Sequence, residues 1–490
     1  MLNAFFRSER GNLAILGALC MVPLILTMGM AVDYTRLAAA RSRLQTVADA
    51  AALAVASSKE TDQGRMRTMA EAYVAANQTD PSVENTQIAS LAANDGKVDI
   101  ALTADVPLTF MRIARLDTMN VGVSALAMRA VTGSFELALV LDNTWSMSET
   151  DSSGVSKIAT LKSAASSLVN QLLASSDANV KVALVPYADY VNVGVANRSA
   201  SWLNVPADYS TTPAPKTCQT LTTKSVCVSK TPTYACTKTI DGVVEPATCG
   251  GVCTYETQTV APYQSCTGGG SPTNYKWFGC VGSRTTTTAK VADRLNDNNP
   301  SSKYPGYLDT SQKCLNPIAP LSKDKQSILT AINSMIINIG TGYKPNTYIP
   351  AGLIWGQNML SPTEPFTEGA AYDAKNTNPR KVLVLMTDGE NTLRFNQSDG
   401  KHVALSGTAA TAATQTTQVN TDTVSICTYI KSHNIEVFTV AFMVDNDASR
   451  KMLTDCATDA THFYDASDAA KLAAAFQGIG DSLQQVRLAR

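Results

Sequence analysis

Two apolar runs that each end in an aspartate constrain this chain more than any other feature. Phe135-Glu-Leu-Ala-Leu-Val-Leu-Asp142 is followed by Asn143-Thr144-Trp145-Ser146, and Lys381-Val-Leu-Val-Leu-Met-Thr387-Asp388-Gly389 repeats the design. Runs this apolar, without alternation, read as strands of a parallel sheet covered on both faces. In open α/β sheets, ligands bind in loops at the carboxyl ends of such strands. Asp142, Thr144, Ser146 and Asp388 are therefore expected at one sheet edge. Asn346-Thr347-Tyr348-Ile349-Pro350 brings a further hydroxyl just ahead of a helical pattern. Hydroxyls and carboxylates without His or Cys form a hard, all-oxygen set suited to Mg²⁺ or another divalent cation.

The set resembles the metal-ion-dependent adhesion site of von Willebrand factor type A domains. That family's pattern is Asp-x-Ser/Thr-x-Ser, a distant Thr and an Asp on a later strand, matched here by Asp142, Thr144, Ser146, Thr347 and Asp388. The resemblance implies that the two first-loop hydroxyls hold the metal directly. It also implies that the aspartates act directly or through water, and that a partner's carboxylate completes the shell. Trp145 puts a bulky indole beside the site, which would restrict ligands.

The surrounding pattern alternates strand and helix. A helix is expected over Gly154–Ser175, a strand over Val180–Tyr187 and a helix over Asp324–Ile337. Ala351–Leu360 (helix), Lys381–Met386 (strand), Thr411–Ser432 (helix) and Ile435–Met443 (strand) follow. Ser449–Ala457 (helix), His462–Tyr464 (strand) and Ala469–Leu488 (helix) complete it. This predicts an α/β fold, a doubly wound and mostly parallel sheet, over residues 133–490. Residues 190–320 interrupt it as a Thr-, Ser-, Gly- and Cys-rich insert. With few aliphatic residues, the insert is expected to depend on disulfides. If Tyr190–Val195 forms an antiparallel edge strand, the insert emerges on the far face; if the chain leaves directly after Asp189, it lies over the metal edge.

Of eleven cysteines, Cys20 lies in an apolar segment. The others are Cys218, Cys227, Cys236, Cys249, Cys253, Cys266, Cys280 and Cys314 in the insert, with Cys427 and Cys456 beyond it. An even set with one close pair and no neighbouring His argues for disulfides in an oxidising compartment rather than zinc. Cys427 and Cys456 flank one strand and are expected to bridge; the pairing inside the insert stays open.

Residues 13–32 contain no charge over about the length that crosses a bilayer, with residues 1–12 as a cytoplasmic tail. The cysteines place the bulk of the chain on the far side. Residues 33–84 read as Ala-rich stalk helices and 85–132 as a small α+β spacer; the narrow apolar stripe Leu37, Leu44, Val47, Ala51 and Val55 is either a packing face for another helix or part of a plain membrane-proximal stalk. Arg10–Ile15, the apolar span, Ala31-Val32-Asp33-Tyr34 and Ala40–Ala54 resemble the start of TadG-type proteins of bacterial tight-adherence (Flp) pilus systems. Related pseudopilins carry Glu where Leu16 stands, so prepilin-type cleavage is not predicted. The resemblance implies a single-pass protein of the bacterial inner membrane with most of the chain in the periplasm. Its partner would be a pilus-assembly component presenting a carboxylate.

Lys plus Arg (40) balance Asp plus Glu (41), so no positive field argues for nucleic acid. An aspartyl-phosphate enzyme would need a second Asp where Thr144 stands, and no Ser–His pairing or phosphate loop is present. No enzyme is expected. His402, His433 and His462 read as surface or packing residues. The alternative to adhesion is a structural envelope anchor whose metal site is unused or merely stabilising.

Overall fold

A computed structural model describes residues 12–58, 60, 62–94, 97–128, 134–151, 154–173, 179–285, 291–295, 302–340, 342–484 and 487–489. The tail expected over 1–12 lies almost wholly outside them. The chain is mixed α/β and divides into two compact units, residues 1–133 with 483–490, and residues 134–482.

The smaller unit begins with α1 (Asn12–Ser57), a helix of 46 residues, or about 69 Å at 1.5 Å per residue. It is the one helix among the described residues long and apolar enough to cross a membrane. Leu19, Met21, Val22, Leu24, Ile25 and Met28 are exposed along its first half. Its second half serves as a packing face rather than a bare stalk, one of the two alternatives its apolar stripe left open. Leu44, Val47, Ala48, Ala51, Ala52 and Val55 bury a stripe spaced three to four residues apart. That stripe packs with α2 (Gln63–Asn77) against β1 (Glu84–Asn94), β2 (Lys97–Pro107) and β3 (Thr118–Met128). The physical reason is β2: Val98, Ile100, Leu102, Ala104 and Val106 alternate onto one buried face, and such a face must be covered. Alanines on the helix let it approach closely. Asp33, buried on α1, accepts backbone N–H bonds from Thr109 (3.0 Å), Phe110 (2.9 Å) and Met111 (2.8 Å), fixing α1 to the β2–β3 connection. The terminal strand Arg487–Ala489 adds antiparallel to β3, so the last helix stops at Gln484 rather than Leu488.

In the larger unit β4 (Phe135–Asp142) and β5 (Val180–Tyr187) are parallel neighbours, joined through α3 (Lys157–Leu172). After the insert come β6 (Ala319–Ser322), α4 (Lys325–Asn333), α5 (Ile349–Leu360) and β7 (Arg380–Thr387). α6 (Ala409–Ser432), β8 (Glu436–Phe442), α7 (Asp447–Cys456), β9 (Phe463–Ala466) and α8 (Ala469–Gln484) follow. The sheet order is β6-β5-β4-β7-β8-β9, all parallel except β6. Chain order therefore reverses between β4 and β7. Leu141 registers with Met386, so both strands release their aspartates at the same edge. Every residue of β4 is buried, as the unbroken apolar run requires. α5 is buried all round, and Gly356 brings it close to the sheet: a Cβ there would lie 2.5 Å from Val140 Cγ2.

For the insert, one open alternative falls and one expectation is corrected. Tyr190–Val195 forms no edge strand of the main sheet; Val191–Asn192 pairs with strand Thr273–Val281 instead, and the antiparallel edge is β6. Its flanks also bury apolar surface, with Trp202, Leu203, Trp277, Val281, Leu295 and Tyr304 joining the main core. Disulfides alone therefore do not hold it. Its exposed middle is two antiparallel strand pairs, Thr217–Lys230 with Cys253–Thr267 and, between them in sequence, the hairpin of Thr233–Ile240 with Val243–Gly250. Cys218–Cys266, Cys227–Cys253, Cys236–Cys249, Cys280–Cys314 and Cys427–Cys456 are bonded, leaving Cys20 free.

Candidate functional site

The edge where β4 and β7 end collects oxygen atoms from distant parts of the chain. Asp142 closes β4, and the chain turns because its Oδ1 accepts the Thr144 backbone N–H at 2.9 Å. That turn sets the Thr144 and Ser146 hydroxyls 2.9 Å apart. Ser146 donates to Asp388 Oδ1 at 2.7 Å, which joins the first loop to the β7 loop. Thr387 donates to Asp142 Oδ2 at 2.7 Å, and the Tyr187 hydroxyl reaches the same oxygen at 3.3 Å.

Thr347 arrives on the loop before α5. Its N–H is held by Thr392 Oγ1 (2.9 Å), and its hydroxyl donates to Asp241 Oδ1 at 2.8 Å. Asp142, Thr144, Ser146, Thr347 and Asp388 are all buried, between 0% and 7% exposed. The four residues of the β4 and β7 loops are linked directly to one another; Thr347 is linked to them through Asp241, whose Oδ2 accepts the Ser146 backbone N–H at 3.0 Å.

The electrostatics are those of crowded negative charge. Burial, together with the Asp388 and Asp241 carboxylates, pushes Asp142 up to about 8. Burial also raises Asp388, opposed by Lys157, whose ammonium lies 3.0 Å from Asp388 Oδ2 and 2.7 Å from Glu149 Oε2. One cationic side chain thus serves several carboxylates. Among the described residues no three His, Cys, Asp or Glu side chains gather as a metal-binding group; here carboxylates alternate with hydroxyls. That donor chemistry, hard and with surplus negative charge, fits a divalent cation bound by oxygen.

Three contributors escaped the sequence reading. Asp241 and Thr392 enter the network directly, Thr392 donating to Asp241 Oδ1 at 3.1 Å. Asp189 is pushed up to about 7 by burial and holds the Thr347 loop through the Tyr343 hydroxyl (2.8 Å) and the Asn346 N–H. For Asp241 a signal was present: Asp-Gly between Thr-Lys-Thr-Ile and Val-Val-Glu is a strong two-residue hairpin pattern. It foretells a turn but not where the turn lands.

No curated protein sequence matches this chain. Among solved structures, the pilus adhesin SpaC from Lactobacillus rhamnosus GG is 12% identical with a TM-score of 0.35, over 83% of this chain and 35% of SpaC. The chain thus spans about a third of SpaC's length. The vWF domain of the type V pili tip protein Mfa5 from Porphyromonas gingivalis is 12% identical with a TM-score of 0.33, over 72% of this chain and 96% of that domain. The PilB minor pilin from Streptococcus sanguinis is 11% identical with a TM-score of 0.36, over 82% of this chain and 78% of PilB. Residues 11–58 match the family model described as putative Flp pilus-assembly TadE/G-like, so the chain carries a Tad-type pilus-assembly segment at its N-terminus.

Proposed function

We propose that this chain is a membrane-anchored, extracytoplasmic component of Flp pilus assembly and that it acts by binding rather than catalysis. In this reading α1 holds the protein in the inner membrane, and residues 134–482 form a doubly wound type A domain in the periplasm. Asp142, Thr144, Ser146, Thr347 and Asp388 hold Mg²⁺ or another divalent cation, which supplies a Lewis-acidic point for an acidic group of a protein partner. The observation that carries the proposal is the meeting of the Ser146 hydroxyl of the first loop with Asp388, 242 residues away in sequence, at 2.7 Å. The Tad-type segment supports the pilus context.

The protein's own residues arrange the site. Thr387 and Tyr187 orient Asp142, Lys157 neutralises one oxygen of Asp388, and Asp189 fixes the Thr347 loop. The test is thermal denaturation of the full chain with and without Mg²⁺. The wild type gains about 2.7 kcal/mol at a hundredfold excess over the dissociation constant, and Asp142→Ala loses that gain while still folding. Equal shifts in both proteins would overturn the metal reading and favour a structural anchor.

A further inference from the structure

We infer that Asp241, at the tip of an insert hairpin, is the carboxylate that caps the site, supplied by the chain itself. An external acidic partner must therefore lift this hairpin before it can bind. The inference rests on the metal-site reading above.

The hairpin is shaped for this. Strands Thr233–Ile240 and Val243–Gly250 pair down to Ile240 opposite Val243, leaving Asp241 and Gly242 as a two-residue turn with φ of 49° and 79°. Positive φ at both positions is the type I′ turn that suits strand twist. Most of the flanking strand residues are exposed or partly so, yet Asp241 is 6% exposed. Both of its oxygens are used: Oδ1 accepts from Thr347 (2.8 Å) and Thr392 (3.1 Å), Oδ2 from the Ser146 N–H (3.0 Å). The carboxylate thus grips the first loop and the Thr347 loop together.

A second contact holds the arm. Glu245 accepts the Trp145 indole N–H at 2.8 Å and pairs with Lys344, whose ammonium stands 4.4 Å from the Trp145 ring centroid. This gives the indole a role: it is a latch for the hairpin. Cys236–Cys249 staples the two strands.

Charge makes the closure conditional. A third carboxylate entering a buried site that already holds Asp142 and Asp388 is opposed by repulsion, which a divalent cation reverses. Cation binding and hairpin seating must then favour each other equally, as linkage requires. Tethering also gives Asp241 an effective concentration in the millimolar range, so a weak, dilute carboxylate cannot displace it.

The test measures Mg²⁺ binding by calorimetry and hairpin protection by amide hydrogen exchange, on the full chain in detergent. Asp241→Asn keeps the turn, since Asn-Gly suits type I′ equally, and removes the charge. We expect Mg²⁺ to slow exchange over residues 233–250 in the wild type about tenfold or more. In Asp241→Asn that protection should vanish and Mg²⁺ affinity fall on the order of 10–100-fold, with added acetate restoring affinity only in the variant. If Asp142→Ala abolishes Mg²⁺ binding while Asp241→Asn binds and protects like wild type, self-ligation is refuted and the metal site stands. If the wild type takes up no Mg²⁺, both fall.

Discussion

Replacing Lys157 by Met removes the one ammonium among the described residues that pairs with Asp388. Lys157 is buried to 8% side-chain exposure and Asp388 to 0%, with Nζ 3.0 Å from the carboxylate. Burial pulls the lysine down, and the Asp388 and Glu149 carboxylates more than reverse it. Deleting one member of a buried pair costs about 3–5 kcal/mol because the other is left charged and unpaired. Protonation limits the loss: holding an ordinary carboxyl neutral at pH 7 costs about 4 kcal/mol, at about 1.4 kcal/mol per pH unit. We therefore expect a deficit near 4 kcal/mol at pH 7, or about 8 °C at roughly 2 °C per kcal/mol for a large domain. The sign with pH follows. An unpaired buried Asp388 binds its proton more tightly folded than unfolded, so the variant's deficit shrinks as pH falls from 7 towards 5. Mg²⁺ should also stabilise the variant more than the wild type, because a positive neighbour has been removed from the cation's surroundings. Melting curves at pH 7 and pH 5, with and without Mg²⁺, read all three effects. Wild-type melting at pH 7, or a deficit that grows as pH falls, would refute the reasoning.

Two further predictions concern the scaffold around the site. Gly356→Ala would place a methyl 2.5 Å from Val140 Cγ2 and 2.8 Å from Leu383 Cδ1, so it should cost about 1–3 kcal/mol; an unchanged melting temperature would contradict the close packing of α5. His402 is held well below its usual range, at about 3, by burial, stacked 4.0 Å from Tyr348 and bonded to Ser283 at 2.9 Å. Its folded form is neutral, so stability is present above pH 6.5 and lost as pH falls towards 3, at no more than about 1.4 kcal/mol per unit. His402→Gln should flatten that acid limb in urea titrations at pH 7 and pH 5, and an equally steep limb would count against it.

What the sequence discloses depends on whether a signal is local. The runs at Phe135 and Lys381 are plain because burial on both faces leaves little room for a polar residue, and their ends carry Asp142 and Asp388 to a shared edge. The α1 stripe is visible too, but its width cannot say whether another helix, a sheet or nothing covers it. The answer lay in β2, whose alternating residues need a lid. The insert resists reading because its middle is threonine-rich and exposed. Asp241 meets Ser146 across 95 residues, and nothing beside either residue marks the other. Cys427 and Cys456 were easier, since the elements bearing them flank one strand.

The larger unit is spliced into the smaller: the chain leaves β3 after Met128 and comes back to pair Arg487 with that same residue. A tensile load drawn along β3 would be met by the β2–β3 ladder, eleven residue pairs long, with its bonds strained side by side instead of peeled singly.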